Sequence, residues 1–241
     1  MADDVATADE ATGAVDVASA DAVAGWAHVL STYVTSDGGF RYTALLASDA
    51  DRALLDAYLA FTADPARDAL TGPERLAFLI NAYNAYTVKS MLDLWPVESV
   101  LREDGFFDGR THTVAGTAMT LNDLENVHIR AAFGEPRIHL LVNCASAGCP
   151  WLIADVITAA NLEEKLEAQT RSFIQRTTVA DAAAGTLSAS QIFEWFAGDF
   201  EAAGGVRVFL ARYLDGDARA LAERDTTRVT HFEYDWATNA R

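Results

Sequence analysis

Trp26, Val29, Leu30 and Tyr33 recur at helical spacing, and this repeat opens the ordered part of the chain near Gly25. Ser36-Asp37-Gly38-Gly39 breaks the helix, and Phe40-Arg41-Tyr42 follows as a short extended piece. A second helix is predicted over Leu45 to Phe61, ending before Pro65. Thr71-Gly72-Pro73-Glu74 has the form of a capping box with proline in the first turn. It opens the strongest helix of the chain, about Glu74 to Leu94, which is apolar on most faces and is therefore expected at the centre of the fold. Trp95-Pro96 stops it.

Residues 97–119 read as irregular or β-like, turning at Gly105, Gly109 and Gly116, with a strand at Thr111-His112-Thr113-Val114. Thr120 with Asp123 starts a helix that runs to about Ala132 and is closed off by Glu135-Pro136. Arg137 to Cys144 is the best strand candidate, and after the loop Ala145-Ser146-Ala147-Gly148 the pair Cys149-Pro150 is expected to open a short helix. Asn161 with Glu164 caps a longer helix carrying Leu162, Leu166, Thr170 and Phe173. A hairpin around Thr177 to Leu187 comes next, then helices over Ser190 to Phe200 and Val206 to Tyr213, and a terminal strand from Thr230 to Trp236. There are no repeats and no interior linker. The pattern predicts one α+β domain, mainly helical, with a small antiparallel sheet.

At 241 residues the chain can bury a full core without a disulfide or a metal. Charge narrows the partners: 35 acidic residues stand against 18 basic ones, a net −17 that repels phosphate backbones and argues against nucleic acid. No apolar run reaches the roughly 18–20 residues of a membrane span. Residues 2–24 are alanine, aspartate and small polar residues without an aromatic or basic group, so 1–24 is expected to be a flexible acidic leader ahead of a domain over 25–241. The leader lacks the basic and apolar regions of a signal peptide. The expected location is the cytoplasm, or the periplasm if a signal was removed. No cofactor is expected.

Reactive side chains are densest at His139, Cys144 and Cys149. Cys149 before Pro150 falls at a helix N-cap, where the dipole and free N–H groups favour a thiolate and can cradle an oxyanion. His139, five residues from Cys144 and ten from Cys149, is placed as a general base. In a regular strand His139 and Asn143 share one face and Cys144 points to the other. Structural thiols, a Cys144–Cys149 bridge and a buried structural histidine are the competing readings. Zinc matches no standard ligand spacing here. Asn81 and Asn84 lie one turn apart on the central helix, where their amides either tether loops or line a cavity. Glu125 is the candidate third member that orients the imidazole.

FLINAYNAYTV, AMTLNDLENVHIR, RIHLLVNCASAGCPWL, IFEWFAGDF and FEYDWATN stand in the same order as the motifs of DUF547, a domain family of unassigned function, and the likeness runs over about residues 25–239. The resemblance maps Asn81, Tyr83, Asn84, Glu125, Arg130, His139, Cys144, Cys149, Trp195, Asp199 and Trp236 onto family positions. One departure is Asn126, which stands where the family motif has histidine after glutamate. Plant members often carry serine at the position of Cys149, which shifts weight toward Cys144.

Together these features point to a thiol-dependent hydrolase or acyltransferase with a papain- or transglutaminase-like architecture, acting on an amide or thioester of a small molecule or peptide. Cys144 or Cys149 is the nucleophile, His139 the base and Glu125 its orienting group, with backbone N–H groups near Gly148–Trp151 for the oxyanion. Asn81, Tyr83, Asn84, Asn143, Trp195 and Asp199 are the expected substrate contacts. The alternative is a binding or scaffold domain in which Asn81, Asn84, His139 and Glu125 form a buried polar network around inert cysteines.

Overall fold

The computed structural model describes residues 7–241, and their side chains from residue 19 onward. Expectations about residues 1–6 lie outside the described residues. Helix α1 (Thr7–Tyr33) begins well ahead of Gly25. Its end is anchored by Ala22, Trp26, Val29 and Leu30, all buried, with Trp26 stacked on Tyr58 of α3 (Asp49–Ala63). The predicted helix over Leu45 to Phe61 is two helices, α2 (Tyr42–Leu46) and α3. They separate because Ser48 caps α3, its hydroxyl accepting from the Asp51 N–H.

Helix α4 (Gly72–Leu94) is the axis of the molecule, with every residue from Leu76 to Val88 buried. Its first turn holds Pro73 as expected, but Thr71 makes no side-chain cap bond. A hairpin of β1 (Thr111–Val114) and β2 (Thr117–Thr120) packs beside it, and Tyr86 of α4 donates to the Thr113 carbonyl at 2.6 Å. Ala115 and Gly116 both take positive φ at the hairpin turn, and their N–H groups reach the last carbonyls of α3. Thr120 and Asp123 form the predicted capping box at α5 (Leu121–Asp123). The helix continues as a π-helical stretch, Leu124–Arg130, into α6 (Ala131–Phe133).

The second half builds around α7 (Leu162–Thr177) and a three-stranded sheet. Strands β3 (Val179–Asp181) and β4 (Thr186–Ser190) are the predicted hairpin, and β5 (Arg228–Phe232) joins β4 in parallel. The sheet is thus mixed rather than antiparallel. The aromatic-rich segment forms the short helix α8 (Ile192–Trp195) and a 3-10 stretch, Ala197–Ala203, and α9 (Val206–Tyr213) and α10 (Gly216–Ala222) complete the fold. Phe173, Phe193, Phe200 and Phe209 form the centre of this second cluster, and Trp236 packs against both it and the α4 cluster. The chain is one α+β domain; a papain-like architecture is not established by it.

Two predicted elements are absent, and both lie at the candidate site. Residues Pro136–Leu140 are a 3-10 turn rather than a strand, and the chain from Leu141 to Asn161 has no regular helix after Cys149-Pro150. Pro136 in the first turn and Glu135, whose carboxylate accepts the Arg137 N–H, favour the turn. What a neighbouring strand would have satisfied, Asn84 satisfies instead. Its Nδ2 donates to the Leu141 carbonyl at 3.0 Å and its Oδ1 accepts the Asn143 N–H at 2.8 Å. Asn81 does the same further along, binding both the N–H and the carbonyl of Ile157. Replacing Asn84 by leucine therefore strands two buried backbone groups, and urea unfolding should show a loss of about 1–3 kcal/mol. An unchanged midpoint would show that the amide tether carries no stability.

Candidate functional site

His139 reaches the site from the Pro136–Leu140 turn. The imidazole is 2% exposed and lies flat on Phe196, with ring centroids 3.9 Å apart and planes inclined by 15°. Its Nε2 stands 2.7 Å from Asp199 Oδ2. Asp199 in turn accepts two hydrogen bonds from Arg130, at 2.8 and 3.0 Å. Arg130 also lies over the Phe196 ring and donates to Asn126 Oδ1. Asn126, the departure from the family motif, thus holds the arginine that holds Asp199.

The protons follow from these contacts. Burial works to raise the Asp199 pKa, but the hydrogen bonds from Arg130 and His139 prevail and hold it below the usual carboxylate range. Asp199 is a carboxylate at neutral pH and can only accept. Burial drives the His139 pKa down to about 4 against the opposing pull of Asp199, so the ring is neutral. A neutral ring facing a carboxylate through Nε2 carries its proton there. Nδ1 is left as a bare lone pair, buried and without a hydrogen-bond partner among the described residues. Glu125 Oε1 is 3.8 Å from it, too far for a hydrogen bond. Burial raises the Glu125 pKa against a hydrogen bond from Tyr83.

The sulfur side of the site is a loop held from both ends. Ala145 adopts φ of 62°, a left-handed conformation that costs an alanine roughly 1–2 kcal/mol. Asn143 braces the loop, with Oδ1 accepting the Ala145 N–H and Nδ2 donating to the Pro150 carbonyl. The C-terminal segment clamps the rest. Ala147 and Gly148 N–H groups donate to the Ala237 and Asp235 carbonyls, and Asn239 N–H donates to Ala145. Gly148 suits this close approach, since a Cβ would sit tightly against the Asp235 backbone at 3.0 Å.

Both cysteines are free thiols, and their sulfurs are 3.0 Å apart. Cys144 Sγ also lies 3.0 Å from Ser146 Oγ and 3.3 Å from the Tyr234 hydroxyl. Hydrogen bonds with Cys149, Ser146 and Tyr234 lower the Cys144 pKa, while burial pushes Cys149 well up. The two sulfurs thus differ, and not through the helix end that the sequence suggests. Cys149 is not a helix cap: its sulfur accepts from the Cys144 N–H and the Cys144 thiol, both at 3.0 Å, and the thiol of lowered pKa is Cys144.

A cavity of about 260 Å³ connects the two halves, with Glu125, His139, Cys144 and Cys149 all on its wall. Tyr83 and Trp195 line it as expected, and Trp195 stands 44% exposed. Asn81, Asn84 and Asn143 do not line it: their amides are taken up by backbone. Asp199 also lies off the wall and touches His139 instead, in the role assigned to Glu125. Of the expected oxyanion donors, Gly148 N–H binds Asp235 and Cys149 N–H binds Ser146. Sequence reasoning missed Ser146, Phe196 and Tyr234. Ser146, two residues beyond Cys144, and Tyr234, inside the C-terminal FEYDWATN motif, carried a signal; nothing local marked Phe196. Among the described residues no cluster of three or more His, Cys, Asp or Glu side chains has metal-binding geometry, and no helix is long and apolar enough to cross a membrane.

The family model of DUF547, described as a protein of unknown function, matches residues 67–174. The matched stretch includes Asn81, Asn84, Glu125, Arg130, His139 and both cysteines, and it ends before Trp195, Asp199 and Tyr234. No curated protein and no solved structure matches the chain.

The depressed His139 pKa has a sign that can be measured. With about 4 in the folded state against the ordinary 6.5, the unfolded chain binds this proton more readily, so stability is complete above pH 6.5 and falls as pH drops toward 4. Between pH 7 and pH 4.5 this amounts to about 2–3 kcal/mol. Urea unfolding at the two values should show that loss in the wild type, reduced by that amount in His139→Gln. Glu125, whose raised pKa acts with the opposite sign, is common to both proteins. Equal pH dependence in the two would place a charged imidazole in the folded state.

Proposed function

We propose that the cavity is a thiol acyl-transfer site of a hydrolase or acyltransferase acting on an amide or thioester. Cys144 Sγ attacks the carbonyl carbon, and the thiol proton is relayed through a cavity water to His139 Nδ1, which no sulfur of the described residues touches directly, and from there to the leaving group. Asp199 holds the ring by Nε2–H and stabilises the imidazolium formed during transfer. With Tyr83 committed to Glu125, the Tyr234 hydroxyl beside Cys144 Sγ is the donor that turns to the carbonyl oxygen once the sulfur is acylated. Water or an amine then releases the acyl group.

One observation carries this reading. A neutral imidazole is fixed through Nε2 by an ionised carboxylate, and its unpartnered Nδ1 belongs to a residue on the same cavity wall as a thiol of lowered pKa. The second reading, a binding or scaffold domain, is favoured by the three asparagines Asn81, Asn84 and Asn143, whose amides are taken up by backbone and, at Asn143, also by the Asn239 side chain.

A neutral aryl ester separates the two. Under native conditions p-nitrophenyl acetate should leave an acetyl group on Cys144, seen by intact mass and peptide mapping. His139→Gln and Asp199→Asn should slow acylation by about 100-fold, within the range of general-base contributions, without loss of helicity by circular dichroism. Acylation at other residues only, or a rate untouched by both variants, would leave the scaffold reading in possession of the site.

A further inference from the structure

We propose that Cys144 and Cys149 form a modification site for small hydroperoxides, in which Cys144 is oxidised first and Cys149 resolves it to an intraloop disulfide. The inference uses the reading above only in taking Cys144 as the reactive sulfur.

The geometry has three parts. The sulfurs face each other at 3.0 Å, so a disulfide of about 2.05 Å needs them to close by only about 1 Å. Both belong to one loop braced by Asn143 and by backbone bonds from the C-terminal segment. Both also line the 260 Å³ cavity, which is ample for a peroxide and gives it a route to sulfurs that are otherwise enclosed. Acyl transfer uses one thiol and leaves Cys149 without a role. A second thiol held against the first is what a resolving cysteine requires.

The chemistry balances with hydrogen peroxide as oxidant. Cys144 ionises and its thiolate attacks one peroxide oxygen; an S–O bond forms, the O–O bond breaks, and the departing hydroxide takes up the proton released by that ionisation to become water. Cys149 then attacks the sulfenic sulfur; the S–S bond forms, the S–O bond breaks, and the Cys149 proton leaves with that hydroxide as a second water. Two electrons pass from the sulfur pair to the peroxide. The Tyr234 hydroxyl, 3.3 Å from Cys144 Sγ, is placed to donate to the thiolate before the first step, and Ser146, which donates to Tyr234 at 2.9 Å, supports it. The disulfide removes the nucleophile, so oxidation silences acyl transfer until a dithiol restores it.

The test is mass spectrometry of the full chain, reduced, desalted and titrated with hydrogen peroxide. No Lys or Arg lies between Arg137 and Lys165, so trypsin leaves both cysteines on one peptide. At a few equivalents of peroxide that peptide should become lighter by two hydrogens, lose native iodoacetamide labelling, and recover both mass and labelling with dithiothreitol. In Cys149→Ala, dimedone should trap a sulfenic acid on Cys144 at least 10-fold more than in the wild type; circular dichroism checks the fold, and the wild-type arm stands without the variant. A wild type that accumulates sulfinic acid on Cys144 with no disulfide overturns the proposal, as does a Cys149 that oxidises at the same rate in Cys144→Ala. Either result leaves acylation of Cys144 by the aryl ester intact, so the two proposals fail separately.

Discussion

The site depends on a side chain doing the work of a strand. Asn84, buried on the central helix, offers a donor to Leu141 and an acceptor to Asn143, the same two bonds a neighbouring strand would make. Asn81, one turn earlier, repeats this on Ile157. Between these tethers the chain is irregular, and irregular backbone is what lets His139, Cys144 and Cys149 face one cavity. In a pleated strand His139 and Cys144 would have pointed to opposite faces. Without the amides, the buried N–H and C=O groups of this segment would have no partners, and burial would be too costly.

A second constraint is electrostatic. His139 is enclosed between two carboxylates in a chain of net charge −17, a setting that would be expected to charge the ring. Desolvation wins instead, because Arg130 already satisfies Asp199 and burial holds Glu125 toward its neutral form. The stack of Phe196 on one side and the Arg130–Asp199 pair at Nε2 leaves a ring with one fixed proton and one open lone pair. The sulfur pair shows the same division of labour. The proton is drawn to Cys149 by its burial, and Cys144, supported by two hydroxyls, is the side on which charge can rest.

The fold brings these halves together across its own length. Arg130 and Asp199 are far apart in sequence, and the cysteine loop is closed by backbone bonds from residues 235–239. Tyr234 and Trp236 come from that same segment, so the last ordered residues supply both the clamp on the loop and part of the cavity wall. Strand β5, by pairing in parallel with β4, delivers this segment to the site.

The sequence by itself determined the local elements. The unbroken apolar helix with Asn81 and Asn84, the Thr120–Asp123 capping box, strand β1 and helix α9 are all written in periodicity and caps, because their energetics lie within a few residues of each position. It also marked His139, Cys144, Cys149 and Glu125 as the chemistry-bearing residues, which the cavity collects. Only the tertiary structure decided how they are arranged. The apolar run Ile138 to Val142 has the composition of a strand, but the partner that satisfied its backbone was a side chain 57 residues away, and no local pattern records such a partner. The same holds for the proton on His139, which rests on Asp199, 60 residues distant, and for the lowered Cys144 thiol, which rests on hydrogen bonds rather than on a helix end. Pairings across the fold set protonation states, and protonation states are not local properties of a chain.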